Sequence, residues 1–242
     1  MKRFVLAAAA LAMASVPALA TEATFERTLN ASGHIELSVG TGSGHIHIKE
    51  GSSGSVHVFA RVKSNWGGSD EQVRQIAANP PIEQTGNIIH IGTRHENYHN
   101  ISIDYDIEAP SDSYLDASSG SGDIVDEGVG ENAKLNTGSG SIHASGLHGN
   151  YAVNTGSGSI YAEGDSGGDV KAETGSGSIE LKGVKGGLRA ETGSGSIKVT
   201  GSPTAPWKLQ TGSGGVELWS GDAPLTLDAD TGSGTVHTDR RC

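Results

Sequence analysis

Cysteine occurs once in the 242 residues, as Cys242, so no disulfide can form within the chain. In an oxidising compartment such a lone thiol stays free or pairs with another chain. Basic residues are scarce, 17 Lys and Arg against 28 Asp and Glu, for a formal net charge of −11. Acidity of this kind repels nucleic acid and anionic lipid and favours solubility. Aromatics are only 5%. No apolar run reaches the ~20 residues needed to cross a bilayer as a helix. A helical, 3.6-residue apolar period is missing everywhere except near residues 70–78.

The first apolar run is short and has a different meaning. In MKRFVLAAAALAMASVPALA, Lys2 and Arg3 form a positive n-region, Phe4 to Val16 an apolar h-region, and Ala18-Leu19-Ala20 an A-x-A cleavage site. A secretory signal peptide over 1–20 is expected, with a mature chain from Thr21, no transmembrane segment in it, and export to the periplasm or cell surface. Cleavage removes two basic residues and no acidic one, so the mature charge is 15 − 28 = −13.

Glycine is abundant. There are 37 in 242 residues, or 15%, about twice the usual ~7%. They fall at fixed intervals, which argues for a repeat fold and against disorder. TGSGSI stands at 137–142, 155–160, 174–179 and 192–197, with near-copies at 41–46, 119–124, 211–216 and 231–236. Counting the first letter of each motif as position 0, the later copies begin at 119, 137, 155, 174, 192, 211 and 231, intervals of 18, 18, 19, 18, 19 and 20.

Apolar residues alternate on both sides of this Gly-Ser-Gly. Position −4 holds Leu115, Ala133, Tyr151, Val170, Leu188, Trp207 and Leu227, and position −2 Ala117, Leu135, Val153, Ala172, Ala190, Leu209 and Ala229. Position +5 is Ile or Val in every copy from Ile124 to Val236, and +7 is apolar except at Asp126 and Thr238. Period-2 alternation marks half-buried strands. Each repeat is therefore strand, corner, strand, loop. The predicted fold class is all-β, a β-solenoid of about 18-residue coils, stacked ~4.8 Å apart.

Position 0 shares the parity of the inward residues, so Thr137, Thr155, Thr174, Thr192, Thr211 and Thr231 should point inward and bond to one another or to the corner backbone. The glycines would supply positive φ or close backbone approach. An anion-cradling loop is the functional alternative, but it needs a helix after the loop, and a P-loop needs Lys followed by Ser or Thr. Neither follows the motif.

Residues 33–48 show the same register, with Ile35, Leu37 and Val39 before Thr41 and Ile46 and Ile48 after Gly44. Between this copy and the next lie a strand pattern at 55–64, a helix pattern at 69–78 with Ser69 as N-cap and Asn79-Pro80-Pro81 as its stop, and strands at 87–92 and 101–110. The expected organisation is a β-rich cap with the first repeat over 21–110, the repeat array over 111–238, and a polar tail over 239–242.

The candidate sites are few. His45 and His47 share one strand face and would bind a metal if further ligands converged, with His34 and His57 as candidates. His90, His95 and His99 form a looser group. A solvated face or loop is the competing reading for both, and no metal or cofactor is assigned. Asp123 takes position +4 once, where Ser is usual, but the calcium-binding G-G-x-G-x-D series is not matched. Lys182, Lys185, Arg189 and Lys198 are basic, and read as a solvated edge facing Glu173, Glu180 and Glu191. Flat threonine arrays for ice are excluded by the inward parity of Thr. Coil intervals that differ by only two residues leave no room for the inserted loops of polysaccharide lyases, and no catalytic residue is assigned. The variable outward columns beside the motif, Asn136, Asn154, Glu173 and Glu191, are the candidate interaction surface, together with cap loops 64–70 and 93–100.

The TGSGHIHI opening, the VHVFARV strand, ISIDYDIEAP leading into YLDASSGSGDI, and the TGSGSI series together resemble the bacterial putative adhesin family of domains of unknown function, over nearly all of 25–238. The resemblance implies an exported β-solenoid and supplies no catalytic residues. The expected function is a non-enzymatic, adhesin-like structural or surface-interaction module of the envelope, with a protein or glycan partner. The alternative is an envelope carbohydrate- or small-ligand-binding protein.

Overall fold

The structure is a computed structural model and describes residues 22–239 except 66, 93–97, 99 and 166. The signal peptide reading, His95, His99 and Cys242 lie outside the described residues.

The amino-terminal part comprises β1 (Glu22–Asn30), β2 (Glu36–Thr41), β3 (Ile46–Glu50), β4 (Ser55–Ser64), α1 (Asp70–Ala78), β5 (Ile82–Thr85), β6 (Ile88–Gly92) and β7 (Ile101–Ala109). The repeats then give paired strands: β8 (Tyr114–Ser119) with β9 (Ile124–Glu127), β10 (Asn132–Thr137) with β11 (Ile142–Ser145), and β12 (Asn150–Thr155) with β13 (Ile160–Glu163). The series continues through β14 (Val170–Thr174), β15 (Ile179–Val184), β16 (Leu188–Thr192) and β17 (Ile197–Gly201). It runs on to β18 (Trp207–Ser213), β19 (Val216–Trp219), β20 (Leu227–Ser233) and β21 (Val236–Thr238).

Strands before each corner form one sheet, in the order β20-β18-β16-β14-β12-β10-β8-β2-β6-β5, and strands after it form the other, β1-β4-β7-β3-β9-β11-β13-β15-β17-β19-β21. From β6 to β20 and from β7 to β21 every pairing is parallel, and in the array it joins identical repeat positions, as in Ile142↔Ile160↔Ile179↔Ile197, apart from a register shift after Lys182 on β15. The protein is a β-solenoid.

The inward columns are buried as their parity requires. Leu135, Val153, Ile160, Ile179 and Leu209 are each at most 1% exposed. Each such side chain contributes about 1.5–3 kcal/mol through removal from water. The last turn is the exception, with Val236 43% exposed.

The corner has a single physical cause repeated in each turn. The hydroxyl at position 0 donates to the carbonyl of the second motif glycine one turn earlier: Ser119 to Gly44, Thr137 to Gly122, Thr155 to Gly140, Thr174 to Gly158 and Thr192 to Gly177, at 2.7–2.9 Å. The same oxygen accepts the amide of its own second glycine, as Thr155 does from Gly158 at 3.1 Å. The threonines thus bond to corner backbone. Positive φ belongs to other glycines, such as Gly146 (68°) and Gly183 (77°) in the opposite corner. The motif glycines are needed for close approach: a Cβ on Gly177 would strike the Gly158 carbonyl, and one on Gly175 the Gly156 carbonyl.

A second ladder runs along position +4. Asp123 Oδ1 accepts the Ser141 amide at 2.7 Å, Ser141 Oγ the Ser159 amide at 3.2 Å, and Ser159 Oγ the Ser178 amide at 3.3 Å. Asp123 is a rung of this ladder.

The cap departs from chain order. Although β2 and β3 precede all four in the chain, β6 and β7 stack on one side of them and β8 and β9 on the other. β4 then extends one sheet antiparallel to β7, with β1 antiparallel to β4, and β5 extends the other antiparallel to β6. Helix α1, capped by Ser69 whose Oγ accepts the Gln72 amide at 3.4 Å, buries Val73 and Ile76. It packs against β1 and β4. Asp126, one of the two polar exceptions at +7, is fully buried.

Candidate interaction surface

Parallel in-register pairing carries each outward position into a straight column. Asn136, Asn154, Glu173, Glu191 and Gln210 are direct neighbours on β10, β12, β14, β16 and β18. From Asn154 onward they line a shallow groove of about 510 Å³ with Glu173, Glu191, Gln210 and the Thr-Gly steps of the adjoining corners. The groove owes its depth to the motif: glycine beside each of these polar residues leaves no side chain to fill the space. Asn136 lies in the same column but outside the groove lining.

The neighbouring outward column holds Lys171, Arg189 and Lys208 in register. Lys171 Nζ lies 2.9 Å from Glu173, and Arg189 lies 2.6 Å from Glu191 and 3.9 Å from Glu173. Such half-exposed pairs add little stability. They orient the carboxylates along the groove wall and leave the strip close to electrically balanced within an acidic protein.

The four basic residues grouped by sequence do not form one cluster. Lys182 (β15) and Lys198 (β17) lie on one sheet and Arg189 (β16) on the other, while Lys185 sits in the connection after β15, paired with Asp165. Lys182 pairs with Glu180 at 3.2 Å. Seven residues of separation across a corner are enough to send two side chains to opposite faces.

The histidines disperse as well. His47 lies between Asp106 and Glu127, 3.3 and 3.6 Å from its two ring nitrogens, and His45 Nδ1 accepts the Asp123 amide at 3.2 Å. His57 pairs with Glu26 at 2.8 Å. His34 precedes β2 and His90 lies on β6, both in the opposite sheet region. Among the described residues, no group of three or more His, Cys, Asp or Glu converges as a metal shell would require. Nearby, burial works to raise the Asp104 carboxyl, but the Lys63 ammonium at 2.7 Å and the His45 amide prevail and hold it below the ordinary carboxylate range.

The two cap loops meet where they are described: the Asn65 amide donates to the Asn100 carbonyl at 2.7 Å, and Asn100 takes a left-handed φ of 57°. Sequence reasoning passed over one cluster on the β15 face. His143 and Tyr161 stack with ring centroids 4.4 Å apart, and Lys182 Nζ lies 4.7 Å above the Tyr161 ring. The signal was available, since His143 and Tyr161 share position +6 in consecutive turns.

Among known proteins, the family model described as Toastrack DUF4097 matches residues 34–241. No curated protein matches. Solved structures that are similar include a putative adhesin from Bacteroides fragilis, 14% identical over 89% of this chain and 97% of that one, with a TM-score of 0.36. Putative adhesins from Parabacteroides distasonis (12% identity, 89% and 97% coverage, TM-score 0.36) and Parabacteroides merdae (13%, 90% and 96%, 0.35) are also similar. No helix among the described residues is long and apolar enough to cross a membrane.

Proposed function

The chain belongs to the Toastrack DUF4097 family, and we propose that this member is an exported, non-enzymatic interaction module of the bacterial envelope that docks its partner on the Asn154–Gln210 groove. The observation that carries this reading is the register: four consecutive turns present Asn154, Glu173, Glu191 and Gln210 at one repeat position beside a floor without side chains. A rigid row of amides and carboxylates suits an extended polar partner, protein or glycan, because the coil backbone has already met the entropic cost of ordering the site. Export is supported by the n-region, h-region and A-x-A site of residues 1–20. The non-enzymatic reading is supported by coil intervals of 18 to 20 residues, which insert no loop to wall a cleft.

The test is capture from envelope extracts together with a glycan array, using native protein and the Glu173→Lys, Glu191→Lys pair. Capture of a specific partner by the native protein, lost in the pair with the melting curve retained, is the expected result. Equal capture by both proteins would move the site elsewhere. Turnover in a hydrolase and lyase screen would overturn the non-enzymatic assignment.

A further inference from the structure

Among the described residues, Asp126 is the only fully buried Asp, Glu, Lys, Arg or His. It occupies position +7 on β9, between Ile48 on β3 and Ala144 on β11, at the layer where the cap meets the repeat array. Its Oδ1 accepts the Val129 amide at 3.2 Å, and its Oδ2 has no hydrogen-bond partner. A carboxylate in water is surrounded by donors, whereas this one keeps one.

No cation answers it from the surrounding elements. β9 packs on β3 and β11 within its sheet and on β8 and β10 across the core. The buried positions of those strands are Ile46, Ile48, Ile142, Ala144, Leu115, Ala117, Ala133 and Leu135, with Ser119 and Thr137 committed to the corner ladder. The titratable groups of the same elements, His47, Lys49, Glu50, Tyr114, Asp116, Glu127, Lys134 and His143, all stand at positions that are not buried. Among them Glu127 acts on Asp126 as a like charge.

We propose that Asp126 is a pH-gated joint: the β8–β9 turn stays closed on the cap while this carboxyl is neutral and opens when it ionises. Burial pushes its pKa up to about 8, with the Val129 amide opposing and Glu127 adding to the rise. The sign follows. In the open turn the group titrates near the ordinary ~4, so between about 4 and about 8 the closed state binds a proton that the open state releases. The opening constant therefore rises about tenfold per pH unit across that window and levels off above it. The joint is tightest in acid.

Amide hydrogen exchange on the full chain tests this, with rates corrected for intrinsic base catalysis, from pH 5 to pH 9. In the native protein, amides of Ile124–Glu127 should show opening constants that climb about tenfold per pH unit to pH 8. In Asp126→Asn they should not vary with pH, and amides of β17 should not vary in either protein. A pH-independent opening of the native β9 would overturn the proposal. If Asp126→Asn fails to fold, carboxyl carbon NMR of the native chain decides: a midpoint near 8 supports the joint, and one near 4 removes it.

Discussion

Thr155 donates its hydroxyl to the Gly140 carbonyl at 2.7 Å, tying one turn of the solenoid to the turn before it. The oxygen is buried and also accepts the Gly158 amide. Thr155→Val keeps the shape and leaves both backbone groups without a partner, so it should lower stability by about 2–3 kcal/mol. Thr155→Ser should cost less than about 1 kcal/mol, because Ser119 makes the same bonds in its own turn. Urea unfolding of the two variants checks the difference. Equal losses would show that the methyl group matters as much as the hydroxyl, and would sink the account of the corner as a hydrogen-bonded one.

The glycines make a sharper contrast. At Gly177 a Cβ meets the backbone of the previous turn, which is fixed by the stack, whereas at Gly42 nothing lies within 4 Å. Gly177→Ala should therefore destabilise by about 2–4 kcal/mol through forced separation of turns. Gly42→Ala should be neutral or slightly stabilising, by up to about 1 kcal/mol. Thermal melts that rank the two in the opposite order would refute the close-approach account.

Neighbouring residues should differ as strongly. Ile160→Asp puts an unpaired carboxylate between Ile142 and Ile179, at an expected cost of about 3–5 kcal/mol. Ser159→Asp should stay within about 0.5 kcal/mol. Its oxygen can go on accepting the Ser178 amide, as Asp123 already does for Ser141. Similar melting temperatures for the pair would invalidate the inward and outward assignment.

Face specificity can be tested with Tyr161→Leu. The change removes the His143 stack and the Lys182 contact, worth about 1–2 kcal/mol together. It leaves the opposite sheet untouched, so partner capture through the Glu173–Glu191 groove should persist. Loss of capture in this variant alone would place the partner on the β15 face.

Much of this was legible in the sequence because each turn repeats the same parity. Positions −4, −2 and +5 needed only period-2 alternation to be assigned to the core, and Ile35, Leu37, Val39, Ile46 and Ile48 carried the same register into the first copy. The asparagine and glutamate column followed from the same rule. Glycine was ambiguous, since positive φ and close approach both demand it, and only the placement of Gly158 beneath Gly177 separates them. The β6–β7 turn was not legible as a turn. It lacks the motif, and only Gly92, in register with Gly40, marks its place. Charge grouping misled for Lys182 and Arg189 because proximity in sequence ignores the corner between them.

The displaced order of the cap has a kinetic consequence. Within the array, closing one turn brings together residues 18 apart, as in Asn132↔Asn150, whereas seating the first copy on β9 brings together His45 and Asp123, 78 apart. The longer closure costs about 1.3 kcal/mol more in chain entropy, and non-local pairing slows folding. The β2–β3 layer also needs contacts from two segments that follow it in the chain. Winding should therefore begin within the array, with the amino-terminal layers settling last. On the proposed export route, the end that leaves the translocon first is then the end that waits.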